Sequence, residues 1–315
     1  MPAAAATART ISATPEHDVT TTRAITAFMA GFSVEATRPK VADIEALKRV
    51  VAPGTDVYLS AIPTRPAEEV IDQAKAVHAA GLSPVPHIAA RNIASAQQLD
   101  ALLSRLTAEV GVRKLLIIAG DRDDPAGPYT GAIEVIESGL LQRHGIAEIG
   151  ISGHPDGHPR LSTETLDRAL AAKAEAAGQS GLSATIMTQF SFDPDAVIAW
   201  LNRVRDLGFE NPVRVGMAGP TSLTTLLRYA ARCGVKASAA GASKGAGLVK
   251  HLFSVSAPDN MVRALGEATA SGALGEVAAH FFSFGGVDAT ARWAAAAAEG
   301  RFSIDRQEGF TVAAG

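Results

Sequence analysis

Short apolar runs alternate along this chain with stretches whose apolar residues recur at helical spacing. The clearest run is 114–122, KLLIIAGDR, where five apolar residues (Leu115 to Ala119) lead to Gly120, Asp121 and Arg122. A continuous run of this kind predicts a strand buried on both faces, as in parallel sheets. Seven other runs fit the same description: 27–35, 56–62, 82–88, 148–153, 183–192, 212–218 and 280–284. Between them lie helical patterns over 41–51, 132–144, 162–177, 222–233, 248–275 and 287–298. Pro66 with Glu68 and Glu69 marks a helix first turn, and Ala67, Val70, Ile71, Ala74 and Val77 share one face beyond it. Leu99, Leu102, Leu103, Leu106 and Val110 form another such face. Asp193-Pro194-Asp195 caps a helix carrying Val197, Ile198, Leu201 and Val204.

Eight strand-then-helix units predict a single-domain α/β protein, a (β/α)8 TIM barrel over residues 23–315. The competing architecture is a doubly wound open sheet. It is disfavoured by the strand count and by the first strand's ending, SVEATRP, which carries no glycine fingerprint. Residues 1–22, rich in Ala and Thr and without a hydrophobic signal core, read as a disordered tail on a cytoplasmic protein.

Composition narrows the partners. A net charge of -3 gives no basic stripe for nucleic acid, and no apolar run is long enough to span a membrane. A lone Cys233, late in a helical pattern, excludes an internal disulfide framework and a cysteine metal cage. Helix periodicity leaves the oligomeric state open, a homo-oligomer included.

In a barrel the chemistry sits at the strands' carboxyl ends. Those ends offer Glu35, Ser60, His87 with Arg91, Asp121 with Arg122, His154 with His158, and Thr188 with Gln189. The last two strands end mainly in glycine: Gly216 and Gly219, then Gly285 and Gly286. This set suits proton transfer and hydrogen-bonded recognition of a polar heterocycle. Each has a plainer alternative: Glu35 as a solvated loop acid, Asp121 paired with Arg122, His87 holding a structural hydrogen bond beside the prolines of SPVPH. The HPDGHP segment has only Asp156 beside its histidines, so no metal centre is expected. His78 and His251, on helical stretches, are assigned to structure or surface.

With SVEATRP, LLIIAGDR, GHPDGHP and IMTQFSFD in this order, the chain resembles the methylenetetrahydrofolate reductase family from Ala27 to about Ala298. The resemblance implies a barrel holding FAD at its mouth and passing hydride from NADH or NADPH to 5,10-methylenetetrahydrofolate, giving 5-methyltetrahydrofolate. It implies Glu35 as the general acid that opens the folate's imidazolidine ring, with a pKa raised by desolvation. It implies Asp121 beside pterin and flavin, and Gln189 and Phe190 on the pterin. It places Ser60, His87, Gly120, Asp121, Tyr129, His154, His158 and Lys173 against the flavin, though Lys173 also reads as an ordinary surface lysine. Departures fall on the cofactor half. Ala119 stands for a usual arginine, His154 for an aromatic and Leu223 for a stacking phenylalanine. Gly285-Gly286 stands for an asparagine-arginine pair, and the helix TLDRALAAK is poor in polar residues. Alternatives are the same reduction without flavin, a tetrahydrofolate-dependent methyltransferase on the same barrel, and a binding module without turnover.

Overall fold

The structure, a computed structural model, describes residues 15–62, 66–233, 255–305 and 309–313. Eight parallel strands close into a barrel: β1 (Ser33–Ala36), β2 (Asp56–Leu59), β3 (Ser83–Ala89), β4 (Lys114–Ile118), β5 (Glu148–Gly153), β6 (Ser183–Thr188), β7 (Val213–Ala218) and, after a short antiparallel pair, β10 (Val277–Phe282). That pair is β8 (Thr221–Ser222) with β9 (Val255–Ser256). Pairing of β1 with both β2 and β10 closes the ring. This is the single-domain (β/α)8 TIM barrel that the alternating pattern predicts.

Two apolar layers follow from the strand period of two. Val34, Val57, Leu59, Leu115, Ile117, Ile149, Ile151, Val213 and Val215 point outward into the large core beneath the helices. Tyr58, Val85, Leu116 and Met187 fill the barrel interior. Two glycines let that interior close. A side chain at Gly150 would lie 2.7 Å from Leu116 Cδ1, and one at Gly216 would lie 2.8 Å from Phe282 Cε2 and 2.6 Å from the Thr188 carbonyl oxygen. At the amino-terminal end Lys114 Nζ bonds Asp56 at 2.8 Å and Glu148 at 3.1 Å, so the bottom carries paired charge.

The amino-terminal segment departs from expectation. Pro15–Met29 is a helix, so residues 15–22 of the expected tail are helical and β1 begins at Ser33, not at 27. Ile25, Phe28 and Met29, at helical spacing, are buried against Met261, Val262 and Leu265 of the helix Asp259–Thr269 in one core. The chain leaves that helix through Gly31, whose φ of +64° few other residues adopt. The apolar run that looked like a long strand was a helix end and a short strand joined by this turn. Elsewhere the expected 132–144 helix is two pieces, Ala132–Ile136 and Leu140–Arg143, separated near Gly139 (φ +74°). The expected eighth strand starts three residues earlier, at Val277. Of the expected 248–275 helix, Asp259–Thr269 is seen, and 248–254 lies outside the described residues. An unforeseen hairpin, β11 (Phe302–Ile304) with β12 (Phe310–Val312), packs Phe310 on Trp293. Among the described residues no helix is long and apolar enough to cross a membrane.

These contacts make opposite forecasts for two glycines. Gly216→Ala must push β6 and β7 apart and should lower stability by about 1–3 kcal/mol in denaturant unfolding. Gly178→Ala meets nothing within 4 Å inside the helix Thr163–Gln179 and should raise it by about 0.5–1 kcal/mol.

Candidate active site at the carboxyl end of the barrel

On β1 the inward positions are Ser33 and Glu35, while Val34 and Ala36 join the outer core. Glu35 is 13% exposed and accepts a 2.7 Å hydrogen bond from Ser60 Oγ, just beyond β2. Its other oxygen lies 3.7 Å from His87 Nε2 and 3.7 Å from His280 Nε2, too far for a hydrogen bond to either. Both Nε2 atoms are buried without a hydrogen-bond partner. Ser33 Oγ meets His280 Nδ1 at 2.9 Å, and the edge of the Tyr58 ring contacts both imidazoles. Four strands, β1, β2, β3 and β10, therefore converge on one carboxylate.

The electrostatics overturn one expectation. Burial alone would push Glu35 up. The charge of His87, the approach and charge of His280 and the Ser60 hydroxyl outweigh it, and the carboxyl is held below its usual range. Burial pushes His87 and His280 down despite Glu35 nearby. Glu35 thus favours its ionised form, while burial opposes charge on both imidazoles. His280 was missed in the sequence because it was taken as a strand's first residue. It is an inward residue one period before Phe282, and only the β1–β10 register sets it opposite Ser33.

The other expected residues divide into groups. Gln189 follows β6, and its side-chain oxygen accepts from the Phe190 amide at 3.0 Å. Phe190 is 1% exposed, enclosed by Phe192, Phe282 and Phe284, so it backs the mouth and offers no open face. Gly120 takes a φ of +93° against Ala89, and Asp121 beyond it stands exposed on the rim with Arg122, Asp123 and Asp124. Tyr129 is buried in the core between strands and helices, away from the role expected of it.

Past β5, His154 and His158 meet edge to face at 5.7 Å, and His158 Nδ1 accepts from the Arg160 amide. Burial, then the charges of Lys173 and His158, push His154 down to about 4. Lys173 is not a surface lysine. It is buried, donates to the Ser152 carbonyl at 3.0 Å and hydroxyl at 2.9 Å, and is lowered by burial to about 8. The rim arginines have partners of their own: Arg91 donates to the carbonyls of Thr130 and Arg122, Arg122 to that of Asp124, and Arg160 to the Asp123 carboxylate.

His154 makes a pH forecast. Its folded pKa lies below the unfolded value, so the stability it contributes is complete above about pH 6.5 and is lost as pH falls toward 4. The loss should reach roughly 3 kcal/mol. Thermal or denaturant unfolding across that window should show it, and His154→Gln should flatten that part of the curve, leaving the share due to His87 and His280.

Among solved structures, the chain is similar to the 3-dehydroquinate dehydratase from Aquifex aeolicus VF5, at 12% identity and a TM-score of 0.37 over 58% of this chain and 78% of that one. At that level the likeness carries no functional information. The family model described as methylenetetrahydrofolate reductase matches residues 31–280, most of the chain and every barrel strand but the last two residues of β10. The chain belongs to the methylenetetrahydrofolate reductase family.

Proposed function

We propose that this protein reduces 5,10-methylenetetrahydrofolate to 5-methyltetrahydrofolate with hydride taken directly from NADH or NADPH, Glu35 delivering the proton. The observation that carries the reading is the buried Glu35 carboxylate, held by Ser60 between two unpaired imidazole nitrogens at the barrel mouth of a chain in this family.

FAD, which the family implies, does not fit the residues present at the mouth among those the structure describes. Its pyrophosphate needs cationic or N–H partners facing it. Lys173 is tied to Ser152, the rim arginines are turned to other partners, and Asp121, Asp123 and Asp124 add negative charge at the same rim. Apart from Lys173, the buried face of the helix Thr163–Gln179 is Leu170, Ala176 and Ala177. The reaction is therefore derived without flavin.

The balance is simple. The bond from the bridging methylene carbon to N10 breaks, N10 gains a proton, and the carbon is left as an N5 iminium cation. Hydride from nicotinamide C4 adds to that carbon and makes the methyl group. Glu35, with His87 and His280 sharing the incoming proton, supplies N10. Asp121 on the rim favours the cationic iminium, and Gln189 hydrogen-bonds the pterin edge. A folate seated in the mouth displaces water from Glu35 and strengthens the desolvation that raises its affinity for a proton. A methyltransferase would need a methyl acceptor, for which no observation argues.

Glu35→Gln should reduce kcat at least about a hundredfold while 5-methyltetrahydrofolate still binds, measured by calorimetry beside steady-state rates. In the unaltered protein kcat/KM for the folate should fall as pH rises through neutrality, because a carboxyl held low is protonated in a smaller fraction at each step. Ser60→Ala, which removes a bond to the ionised form, should move that limb to higher pH. The purified protein should be colourless, without flavin absorbance, and should oxidise NADH or NADPH only when methylenetetrahydrofolate is present. A stoichiometric flavin spectrum would overturn the direct transfer.

A further inference from the structure

Aromatic residues are only 5% of the chain, yet five of them gather at one quarter of the mouth: Phe190, Phe192, Tyr229, Phe282 and Phe284. Their roles differ. Phe190 is buried, 5.0 Å from Phe284 and 5.6 Å from Phe282 in edge-to-face contacts, and serves as backing. Phe284 is already stacked by Tyr229, ring centroids 3.9 Å apart and planes 10° from parallel. Phe282 has Phe284 against it in turn, ring centroids 5.5 Å apart and planes 26° from parallel. It is partly exposed, it points inward one period beyond His280, and its Cα is the register partner of Glu35. Its ring lies over β7, where Gly216 has no side chain to hold it off, and the edge of His280 meets it at 5.0 Å.

A partly exposed ring with Phe284 behind it is a stacking surface for another flat ring. Resting on the function proposed above, we infer that Phe282 is the residue on which the folate's pterin lies. The choice between the two heterocycles of the reaction follows from position. The proton goes to the folate, so the folate must lie against Glu35, and Phe282 is the aromatic side chain paired with Glu35 across the β1–β10 seam. The nicotinamide then takes the side of the folate away from this wall. Where a flavin does not fit, the protein itself supplies the plane that orients the pterin.

The test is binding and kinetics of Phe282→Leu and Phe282→Tyr. The leucine variant should bind 5-methyltetrahydrofolate roughly tenfold more weakly by calorimetry, with the KM for the nicotinamide donor within about twofold of the unaltered protein. The tyrosine variant, which keeps the ring, should bind close to normally. Phe282→Trp gives a reading that does not depend on the leucine variant folding: its added emission should be quenched when the folate binds. Unchanged folate affinity in Phe282→Leu, or unquenched emission in Phe282→Trp, would overturn the stacking role while leaving the proposed reaction standing. No folate binding by the unaltered protein would overturn both.

Discussion

The site depends on the seam between β1 and β10. A strand of four residues has only two inward positions, and here they are Ser33 and Glu35. Closing the ring sets Ser33 against His280 and Glu35 against Phe282, so one register fixes a hydrogen bond, a charge contact and an aromatic neighbour together. A carboxylate this buried would cost several kcal/mol if left unpaired. Ser60 gives it one hydrogen bond, and the two imidazoles stand 3.7 Å from its other oxygen.

The mouth is chemically divided. On the β10–β1–β2–β3 side, polar groups are buried with open valences: Nε2 of His87 and Nε2 of His280 both lack partners. Across the barrel at β5 the polar groups are satisfied internally, Lys173 by Ser152 and His158 by the Arg160 amide. Unsatisfied buried groups mark a place where something else is meant to bind or react, and satisfied ones mark finished structure.

Much of this was legible in the sequence, for definite reasons. The fifth strand, 148–153, and the final helix, 287–298, are bounded by turn residues and carry one unmistakable period, so their limits agree with Glu148–Gly153 and Val287–Ala298. The first strand was misplaced because Ala27, Phe28, Met29 and Phe32 look alike in either conformation, and Gly31 between them was the only clue. Glu35 and His87 lie near the carboxyl ends of their strands and Ser60 just past one, which is what singled them out in the sequence. His280 lies inside one, and residues within a strand carry no sign of which neighbour they face. Tyr129, which the resemblance expects at the flavin, packs in the core. The direction of the Glu35 pKa was equally unreadable, since it depends on imidazoles from β3 and β10, distant in the chain.

The family departures are better understood as one change than as several. An asparagine-arginine pair cannot stand at Gly285-Gly286 in this fold, because a side chain at Gly285 would run into the Pro220 carbonyl oxygen, and Gly286 holds a φ of +115°. Gly219, next to Pro220, likewise leaves room for Thr290. The segments after β7 and β10 touch here, and their contact leaves no room for a side chain at Gly285. The same two strands bring forward Gly216 and Phe282, one making space and the other filling it. Among the described residues, that rim has shifted from a polar pair to glycines beside an aromatic wall. Lys173 buried against Ser152 and Ala119 in place of an arginine extend that shift to the opposite side. Among the described residues the polar groups on that side are turned into the fold, while Glu35 keeps its place against Ser60.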